Sequence, residues 1–267
     1  MTPSPYRNPV LVDVYRRITA PVQFAQPARD LIELLKPMEG ARVLDVGTGT
    51  GAVAQHMIPR AGKGGRVVGV DASIEMLQVA RRTVRCAVVA GALPALPFRD
   101  GAFDIVAAGF VISHVADYEQ ALRDVVRVCR GQGRVGVTAW GSLPNPAAQL
   151  WSEIAGRFVP RSELDTAFRA HVPCEGLFSE PVRFLDVLKA RELASVSVET
   201  RIYRCRMPTA DFLTSRMASL QGSILSDRLT ADGRRHFENQ VAEAFSTRFG
   251  VFVECDRDVH FGVGVRA

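Results

Sequence analysis

Val43-Leu44-Asp45-Val46-Gly47-Thr48-Gly49-Thr50-Gly51 is an apolar, β-branched run that gives way to three glycines at alternate positions. The run reads as a strand, and residues 50–59 after it carry apolar side chains at helical spacing. Glycine is needed where the backbone turns sharply and a ligand comes closer than any Cβ would permit. About twenty residues on, VVGVD closes a second apolar run on Asp71, an acid placed to accept hydrogen bonds from the two hydroxyls of a ribose. Strand, glycine loop, helix, strand and acid together describe a nucleoside-binding half-fold.

Outward from this stretch the same alternation continues. Short apolar runs at residues 41–46, 66–70, 103–109 and 134–140, with a weaker one at 86–90, read as five strands. Residues 50–59, 73–84 and 118–130 read as the helices between them, with Ser73 as an N-cap. Their nearly continuous apolar character fits strands covered on both faces. Residues 30–36 read as a helix that ends at Pro37. After Trp140 the pattern turns helical at 147–159, 163–170 and 182–189. An extended run at 195–207, helices at 209–220 and 231–249 and a last strand at 251–265 complete the chain. The expected fold is α/β: a three-layer Rossmann-like sandwich on a seven-stranded, mostly parallel sheet, with a helical insertion after the fifth strand. Four segments follow from this reading: an N-terminal helical lid (1–40), the nucleoside-binding core (41–140), a helical cap (141–194) and C-terminal strands and helices that complete the sheet (195–267).

Of 267 residues, 47% are hydrophobic and 23% charged, which excludes disordered, collagenous and coiled-coil classes. No apolar run approaches the ~20 residues of a bilayer span, and the opening MTPSPYRNPVLVDVYRR is too broken for a signal peptide, so a cytoplasmic protein is expected. The five cysteines form no CxxC pair and no zinc-finger spacing, and read as reduced thiols. The formal charge of +5 is carried almost wholly by arginine, yet the arginines alternate with carboxylates or fall at helical spacing, as on a solvated helix face.

The glycine spacing does not by itself choose the nucleoside, because Gly47, Gly49 and Ala52 also satisfy the dinucleotide fingerprint. Asp45 discriminates. A carboxylate two positions before the first glycine repels a pyrophosphate, whereas a ligand carrying an ammonium and a sulfonium is attracted. An NAD(P)-dependent oxidoreductase remains the alternative, although the lysines, only at 36, 63 and 189, include none four residues after a tyrosine.

The block from Val43 to Trp140 resembles the class I S-adenosylmethionine-dependent methyltransferases. It is most similar to the small-molecule branch that includes the ubiquinone and menaquinone biosynthesis enzymes. DVGTGTG, VVGVDASIEML, GALPALPFRDGAFDIV and ALRDVVRVCRGQGRVGV stand in the family's order and spacing over about a hundred residues. The resemblance implies that Asp45 and the loop Gly47, Thr48, Gly49 and Gly51 cradle the methionine moiety of S-adenosyl-L-methionine. Asp71 would hold the ribose, Ala72 and Met76 would pack on the adenine, and the Leu93 amide would face its edge. Phe110 would lie near the transferred methyl. Ala92 stands where the family usually has an Asp on the adenine amino group. Gly131-Gln132-Gly133 stands for the usual Pro-Gly-Gly turn before the fifth strand.

Methyl transfer from a sulfonium needs alignment and dryness, and a base only where the acceptor must lose a proton. His114 in FVISHVAD is the candidate base, with packing or hydrogen bonding as its alternative role; His171 and Tyr15 are weaker candidates. AAGFVIS after the fourth strand lacks the Asn/Asp-Pro-Pro-aromatic box of base-methylating enzymes, and no acid pair stands there for a divalent metal. The expected partner is a small-molecule acceptor methylated on O, N or C, with no nucleic acid, membrane or metal. A non-catalytic protein that binds S-adenosylmethionine stays open at this point.

Overall fold

The computed structural model describes residues 5–267. Its sheet has seven strands in the order β3-β2-β1-β4-β5-β7-β6. These are β1 (Arg42–Val46), β2 (Arg66–Asp71), β3 (Ala87–Ala90), β4 (Phe103–Gly109), β5 (Cys129–Trp140), β6 (Leu193–Pro208) and β7 (Phe252–Arg266). Strands β1 to β5 pair in parallel, and β7 runs antiparallel to β5, with Arg134 opposite Val265 and Trp140 opposite Val259. The helices are α1 (Pro9–Val14), α2 (Ala25–Leu35), α3 (Ala54–Ala61), α4 (Ile74–Thr83), α5 (Tyr118–Val128), α6 (Pro146–Ala155), α7 (Arg161–His171), α8 (Glu175–Phe178), α9 (Pro181–Lys189), α10 (Thr209–Met217), α11 (Leu220–Arg228) and α12 (Ala231–Phe249). Tyr15–Phe24 winds as a π-helix around Pro21. The three-layer α/β sandwich and the helical insertion after the fifth strand are both present.

Several elements differ from the sequence reading, each for a local reason. The helix expected over 50–59 starts at Ala54, because the chain is still turning through Gly51 at φ +95°, and Asp45 accepts the Ala54 N–H at 3.0 Å. Gly131-Gln132-Gly133 is not a turn ahead of the fifth strand. It is an irregularity within β5, with Gln132 at φ +59° and the register shifting between Phe103 and Ile105 of β4. The helix expected over 209–220 breaks after Met217, and Ser219 caps a new one by accepting the Gly222 N–H.

The chain divides into two compact units, taken here one at a time. The first comprises residues 24–142, 172–201 and 258–267 and is built on Leu44, Val106, Val125, Val137 and Phe184, all buried. Asp104 on β4 accepts from Arg42 of β1 (2.7 Å from its N–H, 3.1 Å from the guanidinium) and from Arg130 of β5 (2.5 Å). The Arg42 hydrogen bonds hold its carboxyl well below the usual carboxylate range. That contribution to stability is present above pH ~4 and is lost on acidification. The second unit comprises residues 1–23, 143–171 and 202–257, with Trp151, Phe237 and Phe245 at its centre. Residues 1–4 of the expected lid lie outside the described residues. Among the described residues no helix is long and apolar enough to cross a membrane.

The loop after β3 is stapled by one buried acid. Asp124 on α5 accepts the Leu96 N–H at 2.7 Å and the Arg127 guanidinium at 2.7 and 2.9 Å, while Arg127 donates to the Leu96 and Phe98 carbonyls. Asp124→Ala strands a buried N–H and an arginine, and is expected to cost ~2–4 kcal/mol in urea denaturation, with Asp124→Asn losing less. Equal losses for both variants would contradict the hydrogen-bond account.

Candidate cofactor site

The glycine loop is strung between two carboxylates. Thr48 Oγ1 donates to Asp45 Oδ2 at 2.7 Å, and the Gly49 N–H donates to Asp71 Oδ2 at 2.8 Å. The loop is also anchored on β2, whose Val70 carbonyl accepts both the Gly47 and Thr48 N–H groups at 2.8 and 3.0 Å. Gly47 has φ +69°, and a Cβ there would stand 2.6 Å from Val111. Gly49, at φ +55°, is different: a Cβ would meet only its own loop carbonyl at 4.0 Å, so this face of the loop is open.

Asp45 is 1% exposed, at the carboxyl end of β1. Its Oδ2 takes the Thr48 hydroxyl and the Ala54 N–H at the start of α3, whereas its Oδ1 has no partner among the described residues. Burial pushes this carboxyl up to about 7, against the pull of those two hydrogen bonds and with some help from the Asp71 charge. Asp71, at the end of β2, accepts from Gly49 and from the Ser73 N–H at 2.8 Å, and burial raises it as well. The Ala72 N–H is a third backbone donor to it, and each carboxylate oxygen accepts more than one hydrogen bond, as a ribose diol requires.

The other predicted positions fall around these two acids with different environments. Ala72 is exposed just past Asp71, while Met76 is buried in α4, its N–H held by the Ser73 hydroxyl. Ala92 is exposed and its carbonyl accepts the Ala95 N–H; Leu93 is half-buried against the core. Phe110 follows β4 with φ +55°, rare for an aromatic residue, and its N–H is held by the Thr138 carbonyl and hydroxyl at 3.1 and 3.2 Å. Its ring lies 4.5 Å from Trp140 and 5.0 Å from Phe24. His114 lies on a short 3-10 turn four residues further on. Sequence reasoning missed Phe24 and Trp140 as neighbours of Phe110. The available signal was that Phe110 and Trp140 both end parallel strands at their carboxyl edge, where open α/β sheets bind ligands.

Tyr15 and His171 belong to the other unit, where Tyr6 brings them together, with ring centroids 6.1 Å from Tyr15 and 5.5 Å from His171. Burial lowers the His171 pKa. Among the described residues no three His, Cys, Asp or Glu side chains gather as a metal site.

Raising Asp45 from 3.8 to about 7 makes its ionised form cost the folded state about 4 kcal/mol. The folded carboxyl keeps its proton to higher pH than the unfolded one, so the cost is absent below pH ~4, grows from there and is complete above about 7. Asp45→Asn is therefore expected to be more stable than the wild type at pH 8 by ~2–4 kcal/mol in urea denaturation, the gap closing as pH falls towards ~4.5. A gap independent of pH would mean that the carboxyl is ionised without cost.

Comparison with known proteins finds methyltransferases. A family described as a methyltransferase domain matches residues 44–137, from the third residue of β1 into β5. A ubiquinone/menaquinone biosynthesis C-methyltransferase of Geotalea uraniireducens is 35% identical over 113 residues, 40% of this chain and 48% of that protein. Nocamycin O-methyltransferase of Saccharothrix syringae is 36% identical over 140 residues, 49% of each chain. The chain thus spans about half the length of each of these relatives. The fold is shared with phosphoethanolamine N-methyltransferase 2 of Haemonchus contortus, solved with S-adenosyl-L-methionine, at a TM-score of 0.60 and 17% identity over 97% of this chain and 57% of that one. Residues 44–137 match a methyltransferase domain, and the chain is similar over 40–49% of its length to ubiquinone/menaquinone biosynthesis C-methyltransferases.

Proposed function

We propose that the chain transfers a methyl group from S-adenosyl-L-methionine to O, N or C of a small-molecule acceptor. The observation that carries this reading is Asp45, a buried carboxylate with one oxygen unpartnered among the described residues, beneath a glycine loop whose Gly49 face is open. A negative centre there repels a pyrophosphate and attracts a cation, and the residues present fit a cofactor with an ammonium and a sulfonium. Asp45 and the loop Gly47, Thr48, Gly49 and Gly51 receive its methionine end, and Asp71 its ribose hydroxyls. Ala72, Met76 and Leu93 border the adenine. Ala92 offers that ring no side-chain hydrogen bond, at a cost of ~1–3 kcal/mol of affinity relative to an acid.

The cofactor, when bound, supplies an electrophilic methyl on a sulfur that is already an activated leaving group. The protein's part is alignment and exclusion of water. Phe24, Phe110 and Trp140 supply an apolar aromatic wall at the ends of β4 and β5, with Phe110 held rigid by Thr138. His114 takes the acceptor's proton where the acceptor must lose one. No divalent metal enters this scheme. The segments 1–40 and 141–194 are assigned the roles of lid and acceptor-selecting cap, the protein acts in the cytoplasm, and nucleic acid is not its substrate.

Thermal unfolding with S-adenosylhomocysteine, with NAD and without ligand tests the assignment. At ~100 times Kd, S-adenosylhomocysteine should stabilise by about 2.7 kcal/mol and raise Tm by several degrees, NAD should not, and Asp71→Ala should abolish the rise. A rise with NAD alone would make the oxidoreductase the better reading. Binding without turnover across an acceptor panel would favour a non-catalytic cofactor-binding protein.

A further inference from the structure

Cys205 and Cys255 stand opposite each other on adjacent strands. On β6 and β7, Thr200 hydrogen-bonds His260 at 2.8 Å, and Arg204 and Arg206 pair with Asp256 and Glu254 at 3.4 and 2.8 Å. This antiparallel register of 200 with 260, 204 with 256 and 206 with 254 sets 205 against 255. The arginine and acid pairs lie on the exposed face, so the two cysteines share the inner one, where their side chains hydrogen-bond each other. Both thiols line a cavity within the second unit, together with Asn145, Met207, Phe212 and Arg257.

We propose that Cys205 and Cys255 form a covalent modification site, a dithiol that a hydroperoxide converts into a reversible cross-strand disulfide. Directly opposed residues of an antiparallel pair hold their Cβ atoms ~4.5–5.5 Å apart, and a disulfide needs ~3.5–4.5 Å, so closure takes about 1 Å of local tightening. The roles divide by environment. Cys255 is partly exposed beside the Arg257 charge, which favours its thiolate, whereas Cys205 is 4% exposed. The Cys205 S–H, whose other acceptor is the Val22 carbonyl at 3.8 Å, donates to Cys255, pulling the Cys255 thiol down and pushing its own up. Burial pushes up Cys86, Cys129 and Cys174, which lack such a partner.

The chemistry balances with the hydroperoxide as the two-electron oxidant. The Cys255 thiolate attacks the terminal oxygen, the O–O bond breaks, and the alcohol or water leaves with the proton, giving a sulfenic acid. The Cys205 sulfur then displaces that hydroxyl as water, and the S–S bond forms with a net loss of two hydrogens from the protein. This site stands independently of the methyl-transfer reading.

The test is peptide mapping of the full-length protein after brief exposure to near-stoichiometric hydrogen peroxide and alkylation of the remaining thiols. The expected product is a Cys205–Cys255 cross-linked peptide that dithiothreitol reverses. In Cys205→Ser the cross-link is replaced by a Cys255 sulfenic acid trapped by dimedone, and Cys255→Ser consumes peroxide at least about tenfold more slowly. The wild-type map requires no variant to fold, and circular dichroism checks those that are used. Oxidation of Cys86 at the rate of Cys255, or a Cys255 sulfinic acid formed without any cross-link, would overturn the assignment.

Discussion

A carboxylate held away from water at the end of β1 is the constraint around which the rest of the site is arranged. Asp45 is more costly ionised than any replacement of similar shape without charge, because only one of its two oxygens is satisfied by the fold. The surroundings limit that cost rather than remove it. Thr48 bends back to donate its hydroxyl, and α3 begins at the residue whose N–H can reach the same oxygen. The partial positive charge of a helix N-terminus is thereby turned towards the acid.

The second acid completes a division of labour along the carboxyl edge of the sheet. Parallel strands deliver their C-terminal ends side by side, so Asp45, Asp71, Phe110 and Trp140 become neighbours of one edge although almost a hundred residues of sequence separate them. β1 contributes one acid, β2 the second, and β4 and β5 the aromatic wall. Gly47 and Gly49 serve two different ends within this frame. The first has no room for a side chain beside Val111, and the second leaves a face of backbone uncovered.

Local patterns made much of this legible. The alternation of apolar strand and amphipathic helix from Val43 to Trp140 is short-range, and strand β4 and helix α12 coincide with their expected limits. What escaped the sequence depends on tertiary neighbours. The start of α3 is decided by a carboxylate nine residues upstream, the break at Ala218 by a serine cap competing with helix continuation, and the irregularity at Gln132 by pairing with β4. The partnership of Phe24 with Phe110, and the register that opposes Cys205 to Cys255, have no signature in spacing. Each joins segments far apart in the chain.

The most direct measurement of the central claim is the proton balance of S-adenosyl-L-methionine binding, by calorimetry at pH 6 in buffers of different ionisation heat. At that pH Asp45 is mostly protonated in the free protein, while the α-amino group of the ligand, with an ordinary pKa of ~7.7–8.0, is already charged. Binding a cation above the loop lowers the Asp45 pKa, so the account predicts release of close to one proton by the wild type and none by Asp45→Asn. Identical heats in every buffer would contradict it, because the cofactor would then be recognised without the buried carboxylate.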